Sequence, residues 1–290
     1  MKILIIGAGG MIGHKMFQVL KSEGHFVAGT LLQPKEVYTK FKLFEDHEVF
    51  DRVDVLEEVK VLKVLSTIKP DVVLNCVGVT LRKPEIGDFE YSKKINSAFP
   101  KILQAWVDVN NSYLIHFSTD CVFSGKDGPY SEDSEKSATD TYGSTKATGE
   151  VSGPHTLTLR GSMIGRELFA KSEFLEWAIS QKNGQVKGFS KAIYSGVTTN
   201  EMAKLVSKLI SMPNKLTGIY QVSSAPITKL ELLGLINNAY GLNLNILEDS
   251  TYASSKVLIG EKLKKAVGFN CPSWPEMVKE LRLDLFNYDS

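Results

Sequence analysis

A glycine-rich turn close to the start of the chain constrains the fold more than any other feature. The apolar run Lys2–Ile6 is typical of a buried strand, and over 11–20 apolar residues recur at helical spacing. Between them lies the pattern Gly7-x-x-Gly10-x-x-Gly13. Glycines let the backbone approach a pyrophosphate, and a helix N-terminus favours negative charge. We therefore predict a dinucleotide site that includes Gly7, Gly10, Met11, Ile12 and Gly13.

Short apolar strands alternate with helical patterns through the first half of the chain. Further strands are predicted at 25–29, 49–53, 71–76, 112–117 and 156–160, with helices at 55–68, 90–109 and 142–150. This alternation predicts an α/β fold with a Rossmann-type doubly wound parallel sheet.

The second half of the chain shows helices without regular βαβ repetition. Helices are predicted near 172–182, 199–211, 228–239 and 274–284. We expect residues 1–165 to form the dinucleotide-binding domain and 166–290 to form mainly a smaller C-terminal α/β lobe for the substrate. The segment 189–211 is expected to pack back on the first domain.

Composition excludes several classes of function. The 34 Lys and Arg nearly balance the 33 Asp and Glu of the 290 residues, so no excess charge is available to grip a nucleic acid or an anionic membrane. Cys76, Cys121 and Cys271 are widely spaced and form no metal-ligand pattern, so no metal is expected. With 43% hydrophobic residues and no apolar run of targeting or membrane-spanning length, we expect a cytoplasmic protein.

The end of the second strand bears on the choice of cofactor. An NAD-selecting site normally places Asp or Glu there, but the sequence reads Gly29-Thr30-Leu31. No carboxylate would repel a 2′-phosphate, which favours NADP while leaving NAD open. His14, Lys15 or Lys35 could supply positive charge for that phosphate, or could be solvated surface residues.

Two further motifs have the chemistry of carbonyl reduction. Tyr142 and Lys146 are four residues apart in a predicted helix, which places them on one face, one turn apart. Ser118-Thr119-Asp120 follows a predicted strand, at the sheet edge where α/β proteins bind ligands. Each motif alone also fits a chance surface pair or a turn at the strand end. Their co-occurrence favours a site in which a hydroxyl bonds a carbonyl oxygen and a tyrosine supplies its proton.

Together with Asn75, these motifs resemble the extended short-chain dehydrogenase/reductase family. The pattern is most similar to its dTDP-4-dehydrorhamnose reductase branch, which reads STDYVFDG, then PYxE, then YGxTKxxGE. The corresponding residues here are 118–125 (STDCVFSG), 129–132 (PYSE) and 142–150 (YGSTKATGE). The match covers residues 1 to about 165 and continues more loosely through Arg160 and 218–220.

The resemblance implies roles for individual residues. Tyr142 would be the general acid, Lys146 would lower its pKa and bond the nicotinamide ribose, and Thr119 would bond the sugar carbonyl. Asp54 and Val55 would contact adenine. Further cofactor contacts are expected at Thr30, Cys76, Val77 and Gly78, and further substrate contacts at Asp120, Cys121, Arg160 and Lys191.

The function so implied is NAD(P)H-dependent reduction of a 4-keto-6-deoxy nucleotide sugar for a surface polysaccharide. Cys121 stands where the branch has tyrosine and Ser124 where it has aspartate, so the sugar is left open. An epimerase of the same family, with Cys121 as a base, and a non-catalytic nucleotide-binding regulatory subunit remain alternatives. Arg160 could order the loop 118–141 instead of contacting the substrate. A homodimer is also left open.

Overall fold

A computed structural model describes residues 1–45 and 48–288. The strands are β1 Lys2–Ile6, β2 Phe26–Thr30, β3 Val49–Phe50, β4 Val72–Asn75, β5 Tyr113–Ser118, β6 Thr156–Arg160, β7 Met163–Ile164, β8 Gln185–Tyr194, β9 Val197–Thr198, β10 Gly218–Gln221, β11 Ile227–Thr228 and β12 Asn245–Lys256. The α-helices are α1 Met11–Ser22, α2 Glu58–Ile68, α3 Phe89–Lys93, α4 Phe99–Asn110, α5 Thr141–Thr148, α6 Phe174–Ser180, α7 Thr199–Ser211, α8 Lys229–Tyr240, α9 Glu261–Val267 and α10 Trp274–Arg282.

Seven strands form the main sheet in the order β10-β6-β5-β4-β1-β2-β3. All neighbouring strands in it are parallel. The order reverses direction between β1 and β4, which creates the crevice at the carboxyl ends where doubly wound sheets bind ligands. The predicted Rossmann-type doubly wound sheet is confirmed.

The central strand β1 shows why both faces of the sheet are covered. Ile3 and Ile5 belong to one buried apolar cluster, whereas Leu4 and Ile6 belong to another on the opposite face. Alternate side chains of a strand point to opposite faces, so a strand that is apolar throughout needs a helical layer on each side. α1 and α7 pack together on the first face, and α2 and α4 contribute buried residues to the second.

Residues 89–110 form one nearly continuous helical stretch that contains a π-helical turn at Lys94–Ala98. π-turns inside helices often mark functional sites. Here the turn carries Asn96, whose side chain is buried and points back to the segment after β4.

A second, smaller sheet lies in the C-terminal half of the chain. β8 pairs in parallel with β12 and antiparallel with β11. α7 contacts α1, whereas residues 189–194 belong to β8 and pair with the small sheet. The expected division into two domains stays a prediction. No helix in the described ranges is long and apolar enough to cross a membrane.

Candidate active site

The glycine turn joins β1 to α1 at the edge of a cavity of about 1070 Å³. Gly7 has φ +81°, and a Cβ there would lie 2.7 Å from Val77 Cγ2. A Cβ on Gly13 would lie 2.1 Å from the Gly7 carbonyl oxygen, so this glycine lets α1 pack tightly against the turn. Gly7 N also donates to Thr30 Oγ1 at 3.0 Å. Gly13 and Thr30 therefore shape the turn without lining the cavity.

The N-terminus of α1 faces this cavity. Its N-cap is Gly10, which supplies no side-chain cap, and Gly10, Met11 and Ile12 line the cavity. This twelve-residue helix has an uncapped N-terminus, and the glycines beside it admit close approach of the backbone. Both features suit the binding of a pyrophosphate. The residues present therefore fit the pyrophosphate of a nicotinamide dinucleotide.

The segment after β4 forms the next wall of the cavity, where Cys76, Val77 and Gly78 all lie. Asn75 Oδ1 accepts from Val77 N at 3.2 Å. Asn96 Oδ1 accepts from Val79 N at 2.9 Å. Asn96 Nδ2 donates to the Val79 carbonyl at 3.0 Å and to Thr145 Oγ1 in α5 at 3.1 Å. Asn96 thus ties the predicted cofactor wall to the helix that carries Tyr142 and Lys146.

Tyr142 and Lys146 lie one turn apart in α5, and both line the cavity together with Thr119. Asp140 caps this helix by accepting from Gly143 N at 2.9 Å. Lys146 Nζ donates to the Phe117 carbonyl at 2.7 Å, which anchors it to β5 beside the strand end. The three residues that the sequence singled out are therefore brought together.

The protonation states suit proton donation. Burial raises the pKa of Tyr142 well above its usual value, and a hydrogen bond with Thr119 offsets part of this effect. Burial lowers the pKa of Lys146 to about 8, while the charge of Glu150 acts in the opposite direction. Desolvation dominates and keeps the phenol neutral, and the expected lowering of its pKa by Lys146 stays a prediction.

The residues after β5 form a polar corner beside Tyr142. Thr119 Oγ1 lies 3.2 Å from Asp120 Oδ1 and accepts from Cys121 N at 3.1 Å. Asp120 is buried, and desolvation raises its pKa. Thr119 and Cys121 line the cavity, whereas Asp120 does not, and the charges of Lys256 and Lys229 oppose the rise in its pKa. Burial also raises the pKa of Cys121 to about 12, so its thiol is protonated.

Two predicted substrate contacts lie elsewhere. Arg160 is 1% exposed, and its guanidinium bonds both oxygens of Glu150 at 2.8 Å. It cannot reach a ligand, so of its two suggested roles the structure favours ordering the loop 118–141. Lys191 is exposed on β8 and does not line the cavity. Its neighbours Phe189 and Ala192 line the cavity instead.

None of the three cations suggested for a 2′-phosphate lines the cavity, and Lys35 is half-buried outside its wall. His14 is fully buried and bonds the Gly10 carbonyl and Tyr288. Lys15 is buried and forms an ion pair with Asp284. Both face the C-terminal segment on the far side of α1, so neither can supply charge to a cofactor. Asp54 and Val55 follow β3 outside the cavity wall, and their adenine contact stays a prediction.

Sequence analysis missed several residues of the C-terminal half. Lys229, at the start of α8, lines the cavity with its ammonium 3.5 Å from the centre of the Tyr194 ring and 4.8 Å from that of Phe174. Thr80 Oγ1 donates to Glu173 Oε1 at 2.9 Å, and Arg82 lies 3.7 Å from the same carboxylate, so Glu173 links the two halves of the chain at the cavity. No local pattern in the sequence signalled these residues.

Residues 1–242 match the family model described as the RmlD substrate binding domain. A probable low-salt glycan biosynthesis reductase of Haloferax volcanii is 30% identical over 173 residues, which cover 57% of this chain and 54% of that protein. A dTDP-4-dehydrorhamnose reductase of Aggregatibacter actinomycetemcomitans is 24% identical over 78% of this chain and 74% of its own. The methionine adenosyltransferase 2 subunit beta of Xenopus tropicalis is 23% identical over 99% and 91%. The match to the Haloferax volcanii protein spans only about half of that protein's length.

Solved structures show the same fold. A dTDP-4-dehydrorhamnose reductase of Clostridium acetobutylicum superposes with a TM-score of 0.79 at 23% identity, covering 98% of this chain and 99% of its own. That of Bacillus anthracis, solved in complex with NADP, gives a TM-score of 0.80 at 19% identity with the same coverage.

Proposed function

Because the chain belongs to the RmlD substrate binding domain family, we propose that it is an NAD(P)H-dependent reductase of a nucleotide-linked sugar ketone. The observation that carries the proposal is the convergence of Thr119, Tyr142 and Lys146 in one cavity with the glycine turn. The substrate proposed is a 4-keto-6-deoxy nucleotide sugar, as in the relatives named dTDP-4-dehydrorhamnose reductase. A cytoplasmic location, expected from the composition, is part of the proposal, and a homodimer stays open.

Each residue has a definite task in this reaction. A bound NAD(P)H supplies the hydride for the carbonyl carbon. Thr119 Oγ1 bonds the carbonyl oxygen, and Tyr142 gives that oxygen its proton as negative charge develops there. Lys146, held against β5 by the Phe117 carbonyl, stabilises the phenolate that Tyr142 leaves behind.

The cofactor proposed is NADPH, with NADH as the alternative. The end of β2 carries Thr30, Leu31 and Leu32, so no carboxylate opposes a 2′-phosphate there. His14, Lys15 and Lys35 do not line the cavity, so the preference rests on the missing carboxylate alone.

The test is an absorbance assay of NADPH oxidation by the purified protein with a dTDP-4-keto-6-deoxy sugar. We expect Tyr142→Phe to lower kcat by about 10²- to 10⁴-fold, because the proton donor is lost. NADPH binding, measured by fluorescence, is expected to change little. Tyr220→Phe is the matched control, since Tyr220 lies on β10 outside the cavity, and it should retain full activity.

A regulatory subunit is the second candidate, favoured by the match over nearly the whole chain to a methionine adenosyltransferase subunit beta. Tight NADPH binding without turnover on any 4-keto nucleotide sugar would support it and contradict the reductase. An epimerase that uses Cys121 as its base is disfavoured, because burial raises the pKa of this thiol to about 12.

A further inference from the structure

Glu150 lies just after the C-terminus of α5, one turn beyond Lys146, and its side chain is completely buried. Arg160 donates to both of its oxygens at 2.8 Å, and Ser118 Oγ donates to Oε1 at 2.7 Å. Lys136 Nζ lies 3.3 Å from Oε2. Ser118 immediately precedes Thr119, so the carboxylate joins the end of the catalytic helix directly to the strand end that carries Thr119.

Arg160 extends this connection to the loop 119–140. Its guanidinium lies over the Phe123 ring at 5.1 Å, and Nη1 is 3.4 Å from the Glu132 carbonyl oxygen. Glu132 Oε1 in turn accepts from Gln221 N at 3.0 Å. A bidentate pair with low side-chain mobility fixes distance and angle together. The cluster around Glu150 therefore sets the spacing between α5 and the end of β5.

Charge gives Glu150 a second effect on the site. Burial alone would raise its pKa, but the hydrogen bonds and charges of Arg160, Ser118 and Lys136 outweigh this and lower it, so Glu150 is ionised. Two further titratable groups near Lys146 are His116 on β5 and Tyr142 on α5. Burial lowers the pKa of His116 well below its usual value and raises that of Tyr142, so both are neutral. Of these neighbours, Glu150 supplies the charge that opposes desolvation of Lys146.

We propose that Glu150 is a positioning residue of the catalytic site, which holds the helix of Tyr142 and Lys146 against Thr119 and places a negative charge one turn from Lys146. This proposal rests on the proposed reductase function for its consequence in catalysis. Glu150 touches neither the cavity nor a reacting atom, so it acts entirely through Lys146 and Ser118.

The first test is an NMR titration of the protein labelled with ¹³C,¹⁵N-lysine, with the Lys146 signal assigned from a Lys146→Arg variant. In the unsubstituted protein we expect a midpoint of about 8. In Glu150→Gln, which keeps the size and one acceptor oxygen, the midpoint should fall by roughly one pH unit because an opposite charge has been removed. Glu135→Gln removes the same charge from an exposed residue of the neighbouring loop and should leave the midpoint unchanged.

The second test is the pH dependence of kcat/KM for NADPH oxidation with a 4-keto-6-deoxy nucleotide sugar. Lys146 must be protonated, so the rate falls as the pH rises through its pKa. A lower pKa in Glu150→Gln moves this fall to lower pH. The deficit of the variant should therefore be small near pH 6 and grow toward tenfold above pH 8. A purely structural loss would lower the rate by the same factor at every pH.

Removing one partner of a buried pair can prevent folding. The variant Glu150→Gln/Arg160→Gln leaves no unpaired buried charge, and because it removes opposite charges together, its Lys146 midpoint should fall by less than that of Glu150→Gln. An unchanged midpoint in folded Glu150→Gln, or an equal shift in Glu135→Gln, overturns the proposal. If Glu150→Gln does not fold, the double variant should still lower kcat/KM because the link between α5 and β5 is lost, and full activity in it overturns the proposal. If the midpoint falls but no sugar is reduced by any form of the protein, the reductase function fails and the electrostatic role of Glu150 stands.

Discussion

At the scale of single residues, Lys229 is the cation that the C-terminal half places in the cavity wall over two aromatic rings. Its ammonium lies over the rings of Tyr194 and Phe174, and burial lowers its pKa to about 8. Within residues 1–45 and 48–288 it forms no ion pair within 4 Å, although the charge of Asp120 is close enough to raise its pKa. A desolvated ammonium that faces a cavity without a direct partner is suited to bond an acceptor of the substrate.

We expect Lys229→Met to raise the KM for the nucleotide sugar about tenfold, which corresponds to about 1.4 kcal/mol of binding. The Kd of NADPH should not change, since the glycine turn lies at the other end of the cavity. Steady-state kinetics and a fluorescence titration measure the two constants. Lys262→Met is the control, because Lys262 makes a similar contact with the Tyr220 ring outside the cavity. Equal KM values in the two variants would contradict a substrate contact.

At the scale of elements, the junction of β1 and α1 decides whether a dinucleotide can bind. We expect Gly13→Ala to destabilise the protein by about 2 kcal/mol, because the added Cβ meets backbone atoms of Gly7 and Ala8 that cannot move aside. The displaced turn should also weaken NADPH binding. Urea denaturation and NADPH titration are the measurements.

The matched control for this substitution is Gly234→Ala in the interior of α8. A Cβ at Gly234 would meet no atom within 4 Å, so the variant should be more stable by about 0.5–1 kcal/mol, through helix propensity. If the same substitution destabilises the protein at Gly13 and stabilises it at Gly234, the effect at Gly13 comes from the close approach of the backbone in the turn. Destabilisation of both variants by the same amount would refute this explanation.

At the scale of the whole molecule, one apolar cluster contains buried residues from Ile3 to Tyr288. Trp274 of α10 belongs to it, packs at a tilt against the Tyr194 ring of β8, and donates from Nε1 to the Ala225 carbonyl at 2.8 Å. Because the main sheet and the C-terminal helices share this core, we expect the chain to unfold in a single cooperative transition.

Trp274→Ala should lower the free energy of unfolding by about 3–5 kcal/mol, since a large buried side chain and a hydrogen bond are both lost. Circular dichroism and tyrosine fluorescence should still report coincident transitions in guanidinium. Leu285→Ala, at a fully exposed position, should change the stability by less than about 0.5 kcal/mol. Two separate transitions would show that the lobes unfold independently.

The sequence by itself determined the features that depend on neighbouring residues. The glycine turn, the alternation of strands and helices, and the four-residue separation of Tyr142 and Lys146 are all local patterns with a direct geometric meaning. They were enough to predict the doubly wound sheet. Helix and strand positions were predicted to within a few residues for most elements, including β6 and α7.

Only the tertiary structure decided which distant residues meet. β8 and β12 are some sixty residues apart yet pair in parallel, which no local periodicity encodes. The same holds for the charged residues, because a side chain's role depends on what packs against it. Arg160 was expected to contact the substrate but is buried in an ion pair with Glu150. Lys229 was not predicted as a site residue but lines the cavity. Burial and partners, which arise from packing between separated segments, determine what each charge can do.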